Sequence, residues 1–156
     1  MEQFVYKIEK SAVVALETGS NALTVQPTMP ILVVRFGVMV TEATTGASPT
    51  VVTFNHEQVA GAALTPSGAA IDTCTVPTGT AIGKGIYTQL ASPMLILPGE
   101  QAEFVGNNGA DDGSGIIFCQ YYELPFQAST VDRGDYNDIT APQAETTWTS
   151  MYTESA

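Results

Sequence analysis

The chain has few basic residues and a single histidine. Five Lys and Arg stand against sixteen Asp and Glu in 156 residues, a formal net charge of −11 at pH 7. A nucleic-acid-binding surface needs a local stripe of positive charge, so this composition argues against a nucleic-acid partner. Cupin-like metal centres need several histidines, and His56 alone cannot supply them. We therefore expect no metal and no cofactor.

The chain also lacks a long apolar run. The longest one, residues 31–40, is interrupted by Arg35 and is too short to cross a bilayer as a helix. The segment Met1–Lys7 has no basic stretch followed by an apolar one, so we predict no export signal and no membrane partner. In a reducing cytoplasm, Cys74 and Cys119 are then expected to be free and packed.

Catalytic motifs are missing as well. No G-x-S-x-G elbow is present, and His56 is predicted to be a surface or helix-capping residue. The segment 79–85 is similar to a phosphate-binding loop, but Gly85 stands where that loop needs Ser or Thr. We expect its glycines to serve strand pairing with a bulge. The sequence therefore predicts a protein that is not an enzyme.

What the chain does contain favours β-structure. It has 20 Thr, 14 Val, 14 Gly and 9 Pro, and the turn residues separate short β-branched and aromatic runs. In Pro30–Thr41 the even positions are all apolar, which predicts a strand with its even face in the core. Further strands are predicted at residues 51–54, 81–90, 94–97, 102–105 and 115–123.

Three segments allow more than one interpretation. Residues 1–18 fit a helix or two short strands, and the run Phe-Val-Tyr favours the strands. Residues 55–58 resemble a capped helix start. Residues 106–115 collect oxygen ligands that could hold calcium, but without EF-hand spacing they fit a hairpin loop better.

Composition changes after Pro125. Aliphatic side chains nearly disappear, whereas Tyr136, Trp148 and Tyr152 are spaced along an acidic, Thr-rich stretch. We predict a folded domain at residues 1–126 and an extended acidic C-terminal arm at residues 127–156, which is either docked on another subunit or a disordered tail. The three aromatic residues, with Phe4 and Tyr6 at the other end, are the candidate interface anchors.

The end of the predicted domain suggests a family. The segments Leu97–Gly106 and Gly115–Pro125 form a strand, a Pro-Gly turn, a second strand and, after a Gly-rich loop, a third strand. This succession resembles the closing strands of small jelly-roll or β-sandwich proteins of viral particles. With its Thr, Ala and Gly richness, its low Lys and His content and its arm, the chain resembles capsid decoration (cement) proteins of tailed bacteriophages.

The resemblance implies an all-β fold, an antiparallel, jelly-roll-like β-sandwich with the extended arm. It implies a structural protein on the exterior of the virion, made in the host cytoplasm. Its partners would be the major capsid protein and further copies of itself, as a homotrimer or a dimer. The alternative is an oligomeric receptor-binding β-domain of a head or tail fibre. A sugar-binding face built from Phe118, Tyr121, Tyr122 and Phe126 is a further, weaker interpretation.

Overall fold

The structure is a computed structural model, and all the residues that it describes lie within Met1–Pro125. The predicted C-terminal arm, with Tyr136, Trp148 and Tyr152, lies outside the described residues, as does Phe126. The structure describes residues 4–16, 20–59, 63–64, 69–107 and 113–124.

The described residues form eight β-strands and no helix, which confirms the predicted all-β class. The strands are β1 (Val5–Ala15), β2 (Ser20–Val25), β3 (Ile31–Glu42), β4 (Thr50–Gln58), β5 (Asp72–Val76), β6 (Gly85–Ile96), β7 (Glu100–Asn107) and β8 (Ser114–Glu123).

These strands make two four-stranded antiparallel sheets. Sheet one has the order β1-β8-β3-β6, and sheet two has the order β2-β7-β4-β5. Among the described strands, β4 and β5 follow each other in the chain and also lie side by side in one sheet. Every other consecutive pair belongs to opposite sheets. The predicted antiparallel β-sandwich is therefore confirmed.

Three phenylalanines join the sheets at the centre of the core. Phe36 comes from sheet one, whereas Phe54 and Phe104 lie opposite each other in sheet two. All three are fully buried, and their ring centroids are 4.8–5.7 Å apart. Burying one such ring contributes roughly 1.5–3 kcal/mol relative to leaving it exposed, and aromatic pairing adds to this contribution. The cluster fixes the inner face of both sheets.

The inward face of β3 is only partly as predicted. Phe36, Val38 and Val40 are buried, but before them Ile31 and Val33 are buried instead of Leu32 and Val34. The register of β3 shifts between Val33 and Arg35 against both β6 and β8. An extra residue in a strand moves the following side chains to the other face, so Val34 acts as a bulge that reverses the alternation.

Two local predictions near strand ends are wrong. Residues 55–58 do not start a helix but continue β4, because β7 pairs with them along its first four residues. The N-terminal segment contains one long strand, β1, rather than two short ones. Its irregularity between Lys10 and Val13 is accommodated by Ser11, whose Oγ accepts the backbone N–H of Ile117 at 3.0 Å.

Two predictions about loops are also wrong. The segment 106–115 does not close a hairpin, because β7 and β8 lie in different sheets. Gly79 and Gly83 do not form a bulge within paired strands. Both have positive φ and lie in turns before β6, where their N–H groups donate to the carbonyls of Thr44 and Val40. Glycine fits these turns because it adopts positive φ without steric cost.

Candidate interaction surface

Strand β8 lies between β1 and β3 and separates the core from an exposed apolar surface. Ile117, Cys119 and Tyr121 point inward and are buried. Phe118 and Tyr122 alternate with them and point outward. A strand that is apolar on both sides is typical of a sheet covered on both faces. The core covers the inner face of this sheet, whereas the outer face is open among the described residues.

The outer face of sheet one carries large apolar side chains from all four strands. Ile8 is 54% exposed, Met39 is 49% exposed and Tyr87 is 56% exposed. Cross-strand pairing places these side chains on the same side of the sheet. We call this surface the apolar face and define it as Tyr6, Ile8, Val13, Leu32, Met39, Tyr87, Leu95, Ile116, Phe118 and Tyr122.

A short polar ladder crosses the centre of the apolar face. Gln120, Arg35 and Gln89 are cross-strand neighbours on β8, β3 and β6. The Arg35 Nε donates to the Gln89 Oε1 at 3.0 Å, and its guanidinium lies 4.5 Å from the centre of the Tyr87 ring. These residues line a shallow depression of about 330 Å³ together with Tyr6. The Gln120 Oε1 is buried there without a hydrogen-bond donor from the described residues.

Two of the five predicted anchors lie at the edge of this surface. Phe4 is 57% exposed just before β1, and Tyr6 is 46% exposed on the apolar face, with its ring centroid 5.2 Å from that of Tyr122. The other three anchors fall outside the described residues. Sequence reasoning missed Met39 and Tyr87, because their place on one surface depends on the register between β3 and β6.

The outer face of sheet two is different in character. Thr53 and Asn55 of β4 face outward. On β7 they lie opposite Val105 and Glu103, and on β5 Thr53 lies opposite Thr73. Thr75 is exposed there, opposite Val51. This face carries hydroxyl, amide and carboxylate groups beside Val51 and Val105, so it is more polar than the outer face of sheet one. Its Gln101 and Glu103 side chains are buried, at 8% exposure each.

A polar cleft lies between the ends of β1 and β2. It measures about 550 Å³, and Lys7, Glu9, Tyr121 and Glu123 are among the residues that line it. The Lys7 Nζ lies 2.6 Å from the Glu123 Oε1, and the Tyr121 hydroxyl donates to the Glu9 Oε1 at 3.2 Å. Burial, followed by the nearby Glu9 carboxylate, raises the pKa of Tyr121 to about 12. The cleft therefore holds one ion pair and one hydrogen bond between its own side chains.

His56 and the two cysteines lie inside the sandwich rather than at its surface. His56 is neither a surface nor a capping residue, because its side chain is 13% exposed on the inner side of β4. Its Nε2 lies 2.9 Å from the Glu100 Oε2, which also accepts the N–H of Leu97. Cys74 and Cys119 are free and buried, and burial raises the pKa of both thiols. Such thiols are poor nucleophiles.

Three further observations bear on identity. In the described part of the chain, no group of three or more His, Cys, Asp or Glu side chains could hold a metal ion. The same part contains no helix with the length and apolar character needed to span a membrane. No protein-family model matches the chain, and no curated protein matches it in sequence.

Proposed function

We propose that the chain is a structural virion protein that binds the outer surface of a tailed-phage capsid and stabilises the assembled head by bridging capsomers. The strand order supports a jelly-roll sandwich, since eight antiparallel strands are divided between two four-stranded sheets with nearly every connection crossing between them. Jelly rolls recur in viral capsid proteins and in lectins. A fold of this kind does not establish a function, so the proposal depends on the surface.

The observation that carries the proposal is the contrast between the two outer faces. Sheet two presents polar groups, whereas sheet one presents the apolar face with side chains as exposed as Val13 at 59% and Tyr87 at 56%. Extended apolar patches on a protein surface usually mark a docking site. A sandwich with one apolar side is suited to lie flat on a larger assembly.

Mass action explains how such docking would stabilise a shell. A protein that binds the assembled lattice but not its free subunits shifts the equilibrium towards the lattice. Self-association, as a trimer or a dimer, would add effective concentration at neighbouring sites. The net charge of −11 would favour solubility of the protein before assembly. The partner in this proposal is the major capsid protein, and the location is the exterior of the virion.

The test uses heads that lack this protein, prepared from a phage mutant in which its gene is deleted. We expect the purified full chain to pellet with these heads and to reach saturation. The double variant Met39→Glu, Tyr87→Glu should bind about tenfold or more weakly, because two carboxylates must then be desolvated in the interface. Both side chains are about half exposed, so thermal melting should show that the variant still folds.

The matched control is Thr75→Glu, which adds a charge to the exposed outer face of sheet two. It should bind the heads as the wild type does. The proposal would be wrong if the wild type did not saturate the heads, or if the Thr75 variant and the double variant lost binding equally. Saturable binding to host cells but not to heads would favour the receptor-binding alternative instead.

A further inference from the structure

The four sheet edges of the sandwich are not equally protected. An exposed edge offers unpaired N–H and C=O groups, and proteins shield edges with short strands, prolines or charges. In sheet two the edge strands are short, with six residues in β2 and five in β5. In sheet one, β6 contains Pro93 within an irregular stretch. Strand β1 has eleven residues without proline or glycine, so neither short length nor proline protects this edge. Its protection depends on its charged residues, Lys7, Glu9 and Lys10.

The first half of β1 is regular. Residues Val5 to Lys10 pair one-to-one with β8, and the irregularity begins after Lys10. Within the described ranges β8 is the strand that pairs with β1, so the opposite backbone edge of β1 faces outward. A regular six-residue segment is long enough to accept another strand.

The charges on β1 are arranged in a self-complementary order. Lys7 and Glu9 point to the core side of sheet one. If both charges had the same sign, they would repel the charges of a second copy and so prevent pairing at this edge. Here the two charges are opposite in sign and flank Ile8. When two copies of this segment run antiparallel with Ile8 facing Ile8, Lys7 of each copy lies opposite Glu9 of the other.

We propose that two copies of the chain pair through β1 about a twofold axis at Ile8, which joins two copies of sheet one into a continuous eight-stranded sheet. Opposite charges directly across antiparallel strands attract, and Tyr6 of each copy would pack against the Lys10 stem of the other. The internal contacts of Lys7 and Glu9 are compatible with this pairing, because an ammonium has three donors and a carboxylate two oxygens.

The pairing preserves the sides of the sheet, so the two apolar faces join across the axis. Pairing through β1 favours a dimer over a trimer. This proposal does not depend on binding to a capsid. Self-association can therefore be tested with the purified chain alone, and failure of the dimer would be distinguishable from failure to bind heads.

The experiment measures the mass of the full chain in solution by light scattering and native mass spectrometry over a concentration series. We expect twice the chain mass of 16.4 kDa for the wild type. Lys7→Glu and Glu9→Lys should each weaken the dimer about tenfold or more, because each turns two attractive pairs into repulsive ones. An equimolar mixture of the two variants should form a heterodimer about as tight as the wild-type dimer.

Two further variants keep the result interpretable. Lys84→Glu makes the same charge change as Lys7→Glu at an exposed site before β6, and it should leave the dimer intact. Ile8→Lys places two like charges at the axis on a side chain that is 54% exposed, so it should fold normally and be monomeric. A wild type that is monomeric at about 100 μM, a trimer, or a mixture without heterodimer would overturn the proposal.

Discussion

The two outer faces of the sandwich obey the same alternation but have opposite chemical character. In sheet two, β4 places Val52 and Phe54 inside and Thr53 and Asn55 outside. In sheet one, β8 places apolar groups on both sides, with Phe118 outside between buried Ile117 and Cys119. Folding needs one apolar face per sheet, so the second apolar face of sheet one goes beyond what this sandwich requires for its core. The proposed docking would use this second apolar face.

The largest expected difference between the sheets concerns two strand glycines. A Cβ at Gly37 of sheet one would lie 2.7 Å from the Tyr87 Cα and would overlap the Ile86 carbonyl oxygen, whereas a Cβ at Gly106 of sheet two would meet nothing within 4 Å. We expect Gly37→Ala to lower the free energy of unfolding by about 2–4 kcal/mol, because the β3–β6 pairing must move apart.

Gly106→Ala is the matched control and should change stability by less than about 1 kcal/mol. Urea unfolding of both variants measures the difference. Equal stability of the two variants would show that sheet one adjusts its β3–β6 register without cost, and would contradict the close approach seen at Tyr87.

The sequence predicted the class and the central strands because these depend on local patterns. Alternation located β3, and a β-branched and aromatic run located β8. Alternation also placed Leu32 and Val34 in the core, which is wrong because a one-residue bulge is set by pairing with both neighbours rather than by composition. The capping pattern at Asn55 was overridden because β7 offers that segment a complete set of strand partners. Tertiary pairing therefore decided the points on which local signals were ambiguous or misleading.

The candidate surface was less predictable than the fold. Exposed aromatics at Phe4 and Tyr6 were visible as a β-forming cluster, but nothing in the sequence joins them to Met39 or Tyr87. Those residues meet on the apolar face only through the order β1-β8-β3-β6. The strands β2 and β5 escaped prediction because each offers two apolar positions in alternation, which is too short a pattern to recognise.

A second prediction concerns how the free energy of unfolding depends on pH through Tyr121, on the inner side of β8. Tyr121 is buried beside Glu9, and its pKa is raised to about 12 from an ordinary value of 10. Between these pH values the unfolded chain loses this proton while the folded chain keeps it, so stability falls as pH rises. Tyr121→Phe should make the decline in stability between about pH 10 and pH 12 shallower.

The measurement is the urea midpoint at successive pH values. Tyr122→Phe is the matched substitution, because it removes a hydroxyl from the outer side of the same strand, where Tyr122 is 37% exposed, and leaves the buried Tyr121 in place. If stability declined equally with pH in the wild type and in Tyr121→Phe, burial of the Tyr121 phenol would not be the cause of the decline.

The smallest expected effect is the coupling energy between Arg35 and Tyr87, which tests whether the exposed Tyr87 ring contributes to stability or to binding. Arg35 lies over the exposed Tyr87 ring, and such a contact is worth about 0.5–1 kcal/mol at an exposed site. A double-mutant cycle with Arg35→Met and Tyr87→Leu should give a coupling energy in that range from urea unfolding. A coupling well above it would mean that Tyr87 is held for folding. If the coupling is small while Met39→Glu with Tyr87→Glu abolishes docking, the exposed ring serves the partner rather than the sandwich, because the free fold gains little from it.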